Sequence, residues 1–375
     1  MLPASQRFQA LDVFRGMTIC LMIIVNTPGD GATTFSPLQH ASWDGFTPTD
    51  LVFPSFLFAV GNALSFVMNK WSSLSQQEVL FKIFKRTALI FLLGYLMYWF
   101  PFVTKNEAGS YILSPIANTR IFGVLQRIAL CYGIAALMLY YFKEKVSIYL
   151  GVLFLFGYWL ILYLFGDSGA ELSMQGNAGF KLDQWLIGDA HMYKGEGVPF
   201  DPEGLLSTLP AVVNVIGGFV AGKYIQQKGS DYEGLSKLLL AGVGLLFLAY
   251  AWNLSFPINK KIWTSSYVLL TVGLDCVIIA TIMYLIQYRN WTKGTYFFEV
   301  FGRNPLSIYL LSELMAILFW VFQANKDQAV YQWIFTNIFS HAGGYVGSLL
   351  FAIAFMLTCW LVGYIMDKKK IYIRV

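Results

Sequence analysis

Ten apolar segments of near bilayer-spanning length run through this 375-residue chain, at 12–27, 50–69, 86–101, 120–142, 146–166, 205–227, 235–253, 263–287, 299–322 and 346–366. Inside hydrocarbon each backbone amide must find its partner within the protein, and a helix of about 20 apolar residues does so across the whole core. Composition agrees. Hydrophobic residues make up 57% and charged residues 13%, against roughly 25% charged in a soluble domain. The expected fold is all-α, a polytopic transmembrane helix bundle of about ten helices forming a single membrane-embedded domain over residues 1–375. Asp12 and Arg15 interrupt the first segment. The run YQWIFTNIFS at 331–340 is too short and too amphipathic to span, and reads as a short interfacial helix.

The net charge of +5 is scattered between apolar segments, so the expected partner is a lipid bilayer and not nucleic acid. One set of connections carries Lys70, Lys82, Lys85, Arg86, Lys143, Lys145, Lys223, Lys228, Lys237, Arg289 and Lys293, and the tail adds Lys368, Lys369, Lys370 and Arg374. The other set is poorer in cations, and its longest loop is acidic. Ten spans place both termini on one side, and the positive-inside rule makes that side the cytoplasm. His40, His191 and His341, the three histidines of the chain, then face outward. Nothing after Ile24 resembles a small-residue cleavage site, so the first segment is expected to be retained.

Several chemistries lack their motif. Cys20, Cys131, Cys276 and Cys359 each lie in an apolar segment without C-x-x-C spacing, which supports neither a disulfide framework nor zinc. No metal is expected, since H-E-x-x-H is absent too. The chain has no G-x-x-x-x-G-K-[ST], no G-x-G-x-x-G and no G-x-S-x-G, which speaks against a nucleotide-driven pump, a Rossmann enzyme and an elbow-type hydrolase.

Two outward connections are long, 28–49 and 167–204, and long loops in compact proteins are usually functional or disordered. The second interleaves Trp185 and Tyr193 with Asp183, Asp189, Asp201 and Glu203. That mix suits a carbohydrate-binding lid, and equally a solvated loop with anchoring aromatics. The first leads into LQHASWDGFTPTDLVFPSFLF at 38–58, where His40, Asp44 and Asp50 crowd the start of an apolar helix. Asp50, with Thr47 and Thr49, is placed to cap that helix and complement its dipole. His40 is the natural general base, because a neutral imidazole takes protons near physiological pH.

Polar groups at membrane depth are costly and need a partner or a purpose. Gln126 with Arg127, and Asn214, Asp275 and Glu313, lie inside four separate apolar segments. They suit a polar cavity, with Arg127 pairing Asp275 or Glu313, or else helix packing alone. Near the inner face Arg15, Lys223 and Arg303 accompany the breaks FRG and GRNP, a setting for phosphate groups or for lipid headgroups.

The ordered blocks FQALDVFRGMTI, the Asn of VNTPGD, HASWDGFTPTDLVFPSF, GVLQRIALCY, DPEGLLSTLPAVVNVIGG, NKKIWTSSYVL and GRNPLSIYL closely resemble the heparan-alpha-glucosaminide N-acetyltransferase family. The resemblance implies a multi-helix membrane enzyme that uses cytoplasmic acetyl-CoA to acetylate a glucosamine amine on the other side. His40 matches the family's active-site histidine, and Asn26 an asparagine beside it. Arg15, Arg303 and Lys223 are then candidates for holding the donor's phosphates. Asp44, Asp50, Arg127 and Asn214 are candidates for contacting the amino-sugar acceptor. The chain looks like a relative from a bacterial inner membrane, and a second copy of itself is a candidate partner. His40 acts as a base or accepts the acetyl group first. The competing expectation is an amino-sugar transporter without acetylation, for which an inverted repeat would be the sign.

Overall fold

A computed structural model describes residues 9–105, 110–229 and 231–373. The placement expected for the chain ends, and the tail cation Arg374, lie outside the described residues. The helices are α1 Gln9–Asn26, α2 Val52–Trp71, α3 Gln76–Trp99, α4 Val124–Phe165, α5 Ala178–Ile187 and α6 Thr208–Lys228. They continue as α7 Tyr232–Asn253, α8 Ser265–Met283, α9 Thr295–Arg303, α10 Pro305–Val321, α11 Val330–Ile334 and α12 Gly344–Lys368. One antiparallel hairpin, β1 Val103–Lys105 with β2 Tyr111–Leu113, pairs Val103 with Leu113.

Among the described residues seven helices are long and apolar enough to cross a membrane, and eight if α9 and α10, bent by 84°, form one span. Helix α4 holds two arms. Its 42 residues would extend about 63 Å, twice the hydrocarbon core. The backbone breaks at Lys143, with φ 61° and ψ 177°. Before the break Arg127 bonds Ser207 at the head of α6. Just after it Glu144 pairs with Lys223 near the tail of α6, and Gly151 is back against Val213 and Ile216. The arms are therefore antiparallel along α6, as the segments 120–142 and 146–166 require. Helix α3 is long enough to span, but Glu78, Lys82, Lys85 and Arg86 make its first half polar.

The described residues group into two compact units, one within 9–41, 47–56 and 282–373, the other within 42–46 and 57–281. In the first, α1 lies along α9 with no room for side chains at two points. A Cβ on Gly16 would sit 1.8 Å from the Phe298 carbonyl oxygen, and one on Gly302 would sit 2.1 Å from that of Asp12. The blocks FRG and GRNP thus pack against each other, and Arg15 donates to the Gly302 carbonyl at 3.1 Å. Pro305 then opens α10 at the position where its missing N–H is not needed. The segment expected at the interface forms α11 and a π-turn Phe335–Phe339.

In the second unit Leu64, Val79, Ile83, Tyr132, Leu139 and Phe219 form one apolar core, while Tyr158, Leu162, Phe200, Phe256 and Ile262 form another. The 167–204 connection is ordered. Asn177 caps α5 through the Phe180 amide at 2.9 Å. His191 Nδ1 lies 2.7 Å from the Thr119 carbonyl oxygen, and Lys261 pairs with Glu196. Arg120 lies between the rings of Tyr98 and Tyr193, 5.0 and 4.5 Å from their centroids. Its guanidinium grips Asp201 at 2.6 and 3.2 Å and Glu203 at 2.5 Å. The aromatics and carboxylates of this loop therefore divide: Tyr193, Asp201 and Glu203 fasten it, and Trp185 is 81% exposed.

Candidate active site

The first unit builds its polar centre where the chain leaves α1 and enters α2. Short 3-10 turns at Gly31–Thr33, Ser36–Leu38 and Pro48–Leu51 carry it. Thr47 precedes the last turn, and its N–H donates to Asp50 Oδ2 at 3.0 Å, the return half of a capping box. The Ala41 N–H reaches the same oxygen at 3.1 Å. The other oxygen, Oδ1, lies 2.7 Å from His40 Nδ1. Asp50 is 1% exposed, whereas the His40 side chain is 47% exposed. A buried carboxylate held by two backbone amides thus fixes one ring nitrogen of a half-exposed imidazole. An acceptor at Nδ1 selects the tautomer with its proton there, so that Nε2 carries the basic lone pair.

Asn26 ends α1 in the same unit, exposed, and donates from Nδ2 to Glu313 Oε1 of α10 at 3.2 Å. Asp44 lies in the second unit, exposed, where it accepts from Asn259 Nδ2 at 3.1 Å. Asp50 was expected to cap the helix that follows, and it does so through the Thr47 turn. Its oxygens are taken by that turn, the Ala41 amide and His40.

Arg127 and Asn214 meet within one buried network of the second unit. The Arg127 guanidinium donates to the carbonyls of Pro202 and Gly204 at 3.3 and 2.8 Å and to Ser207 Oγ at 2.5 Å. It stacks 5.0 Å from the Trp263 ring centroid. Asn214 accepts from Trp263 Nε1 at 3.2 Å and donates to Thr271 Oγ1 at 2.9 Å. The carbonyls of Pro202 and Gly204 and the Ser207 hydroxyl thus hold the buried guanidinium of Arg127.

The three cations considered for phosphate each hold an internal partner. Arg303 clasps both oxygens of Asp367 at 2.8 Å and Glu299 at 2.6 Å. Arg15 lies 3.5 Å from Asp12, and Lys223, 41% exposed, pairs with Glu144 at 2.5 Å. Among the described residues no three His, Cys, Asp or Glu side chains gather as a ligand set for a metal.

Outside the spanning helices, carboxyls of the 167–204 connection are displaced in their ionisation in both directions. Burial pushes Asp183 up to about 7, with neighbouring Asp201 adding to the effect against the Leu205 amide bond and Arg127. Burial also opposes ionisation of Glu203, but Arg120, Arg127 and Lys260 outweigh it and hold Glu203 below the usual range.

Two pairings escaped the sequence. His40 with Asp50 spans a ten-residue loop whose closure depends on the Thr47 turn, and no periodicity announces it. Glu313 with Asn26 joins elements 287 positions apart; its signal was a lone acid inside an apolar run.

Residues 7–176 match the family model described as heparan-alpha-glucosaminide N-acetyltransferase, catalytic. Two relatives align over nearly the whole chain. The heparan-alpha-glucosaminide N-acetyltransferase of Mus musculus is 26% identical over 428 aligned residues, covering 99% of this chain and 61% of that protein. The Homo sapiens protein of the same name is 27% identical over 424, covering 98% and 60%. The chain thus spans about three fifths of the length of the curated relatives it matches. Its resemblance to heparan-alpha-glucosaminide N-acetyltransferases extends from residues 7–176, where the family's catalytic model matches, to nearly the whole chain through these two relatives.

Proposed function

We propose that this chain is a membrane acetyltransferase that moves an acetyl group from acetyl-CoA, supplied on the cytoplasmic side, to the amine of a glucosamine-type sugar on the opposite side. It works in a bacterial inner membrane with both termini cytoplasmic. The observation that carries the reading is the 2.7 Å contact of His40 Nδ1 with the buried Asp50, supported by the similarity to acetyltransferases.

With its proton on Nδ1 facing Asp50, His40 removes a proton from the sugar amine through Nε2. The amine nitrogen attacks the thioester carbonyl carbon, the C–N bond forms, the C–S bond breaks, and the thiolate leaves to be protonated. Asp50 stabilises the imidazolium formed on the way, as an orienting carboxylate does in acyl-transfer triads. Asn26 offers an amide N–H to the carbonyl oxygen as charge develops there. An alternative order, with Nε2 taking the acetyl group first, uses the same residues. Asp44, Arg127 and Asn214, all of the second unit, are the proposed contacts of the acceptor. Of the cations proposed for the donor's phosphates, Lys223 is the most readily offered, since a half-exposed ion pair costs least to exchange. Arg15 and Arg303 must give up internal partners.

The assay is purified protein in liposomes with labelled acetyl-CoA and glucosamine. Label on the sugar nitrogen supports the reading. Sugar movement without label would replace it with a transporter, which the 84° break between α9 and α10 also suits.

A further inference from the structure

Glu313 is a carboxylate set inside an apolar helix, and its recorded partner is a neutral amide. It lies in α10 between Ser312, 2% exposed, and Leu314. Its Oε1 accepts from Asn26 Nδ2 at 3.2 Å. Among the described residues no lysine or arginine is recorded pairing with it, whereas Asp367 and Glu299 of the same unit each hold Arg303. An ionised carboxylate at membrane depth without a cation is costly and marks a functional position.

A second observation points to the same chemistry. Asn26 is the last residue of α1, and that helix carries no basic side chain in its final turn. The carbonyls at a helix C-terminus present about half a negative charge, which favours a cation. A carboxylate and a helix C-terminus therefore meet at Asn26, and neither brings its own positive partner. Asn26 itself is exposed, so a small ligand can reach the pair.

We propose that Glu313, with the C-terminal end of α1 and Asn26, forms a subsite for a primary ammonium group, the protonated amine of the acceptor before it reacts. This deepens the reading given above and rests on it, since it names the groups that recognise the amine. The chemistry has a useful consequence. Acetylation turns the ammonium into a neutral acetamide and so abolishes its attraction to Glu313. Substrate is held and product is not. Glu313 is here a binding residue, and the proton goes to His40.

Binding is measured on the reconstituted full chain carrying His40→Ala, so that no turnover intervenes, with glucosamine and N-acetylglucosamine as probes. The parent binding site is expected to favour glucosamine. Glu313→Gln keeps the shape and a bond to Asn26, and is expected to reduce glucosamine affinity roughly 10- to 100-fold, the range for a hydrogen bond to a charged group. N-acetylglucosamine affinity should stay within about twofold. A glucosamine preference that survives Glu313→Gln overturns the proposal, as does a parent that binds both sugars alike. If the variant does not fold, the parent suffices: dicyclohexylcarbodiimide should label Glu313, and glucosamine, but not N-acetylglucosamine, should protect it. Equal labelling with both sugars rejects the subsite. The acetyl-transfer assay is read separately, so a chain that acetylates amines while failing these tests loses only the Glu313 assignment.

Discussion

At the residue scale, the proposed chemistry rests on one buried carboxylate doing two things. Asp50 closes the turn at Thr47 and orients His40. Asp50→Asn keeps the size and one acceptor oxygen, but its amide can donate to Nδ1 and stabilise the wrong tautomer. His40→Ala and Asp50→Asn are each expected to lower acetyl transfer by about 10²–10⁴-fold, with thermal unfolding checking that both variants fold. A second prediction concerns Asp183, whose folded carboxyl titrates at about 7 against an ordinary 3.8. The folded state then binds the extra proton between those values, so this group's contribution to stability falls as pH rises from about 4 to 7. Asp183→Asn should raise the melting temperature at pH 7.5 and leave it nearly unchanged at pH 4. Equal shifts at both pH values would mean that burial does not govern this carboxyl.

At the scale of elements, two backbone features bear weight. Gly16 and Gly302 let α1 and α9 touch, since a Cβ at either would lie about 2 Å from a facing carbonyl oxygen. Gly16→Ala and Gly302→Ala are each expected to cost at least 1–3 kcal/mol, as overpacked contacts do, measured by unfolding in detergent. Lys143 works in the opposite sense. Its φ of 61° and ψ of 177° belong to a region that is nearly restricted to glycine. Lys143→Gly should therefore stabilise the hairpin of α4 by about 1 kcal/mol. No change in unfolding would show that the turn is not strained. The two arms of α4 were legible in the sequence as apolar lengths of about 20 residues parted by Lys143, Glu144 and Lys145. The site at which the chain reverses follows from charges that cannot enter hydrocarbon. The packing of FRG on GRNP was not legible, because glycine records only that a side chain is missing and not what fills the gap.

At the scale of the whole molecule, the prediction is topological. From the excess of lysine and arginine in one set of connections, the 28–49 loop is expected outside and the termini inside. The native cysteines Cys20, Cys131, Cys276 and Cys359 are all buried. An impermeant thiol reagent on intact spheroplasts should therefore label a cysteine placed at Gly31, and protection there would reverse the orientation.

By itself the sequence determined the class of fold and the lengths of its spans, because hydrocarbon imposes one rule on every segment and leaves its mark in composition. It also singled out Arg127 and Asn214 as polar residues where polarity is expensive, Arg15, Arg303 and Lys223 as cations near the inner face, and His40 and Asn26 by the blocks in which they stand. The tertiary structure decided what those residues do there. It turned Asp50 towards His40, gave Arg127 to the carbonyls of the 202–207 turn, closed Arg303 on Asp367 and Glu299, and left Glu313 facing Asn26. A partner depends on distance and direction between segments far apart in the chain, and burial cost, the only quantity the sequence reports, has no direction.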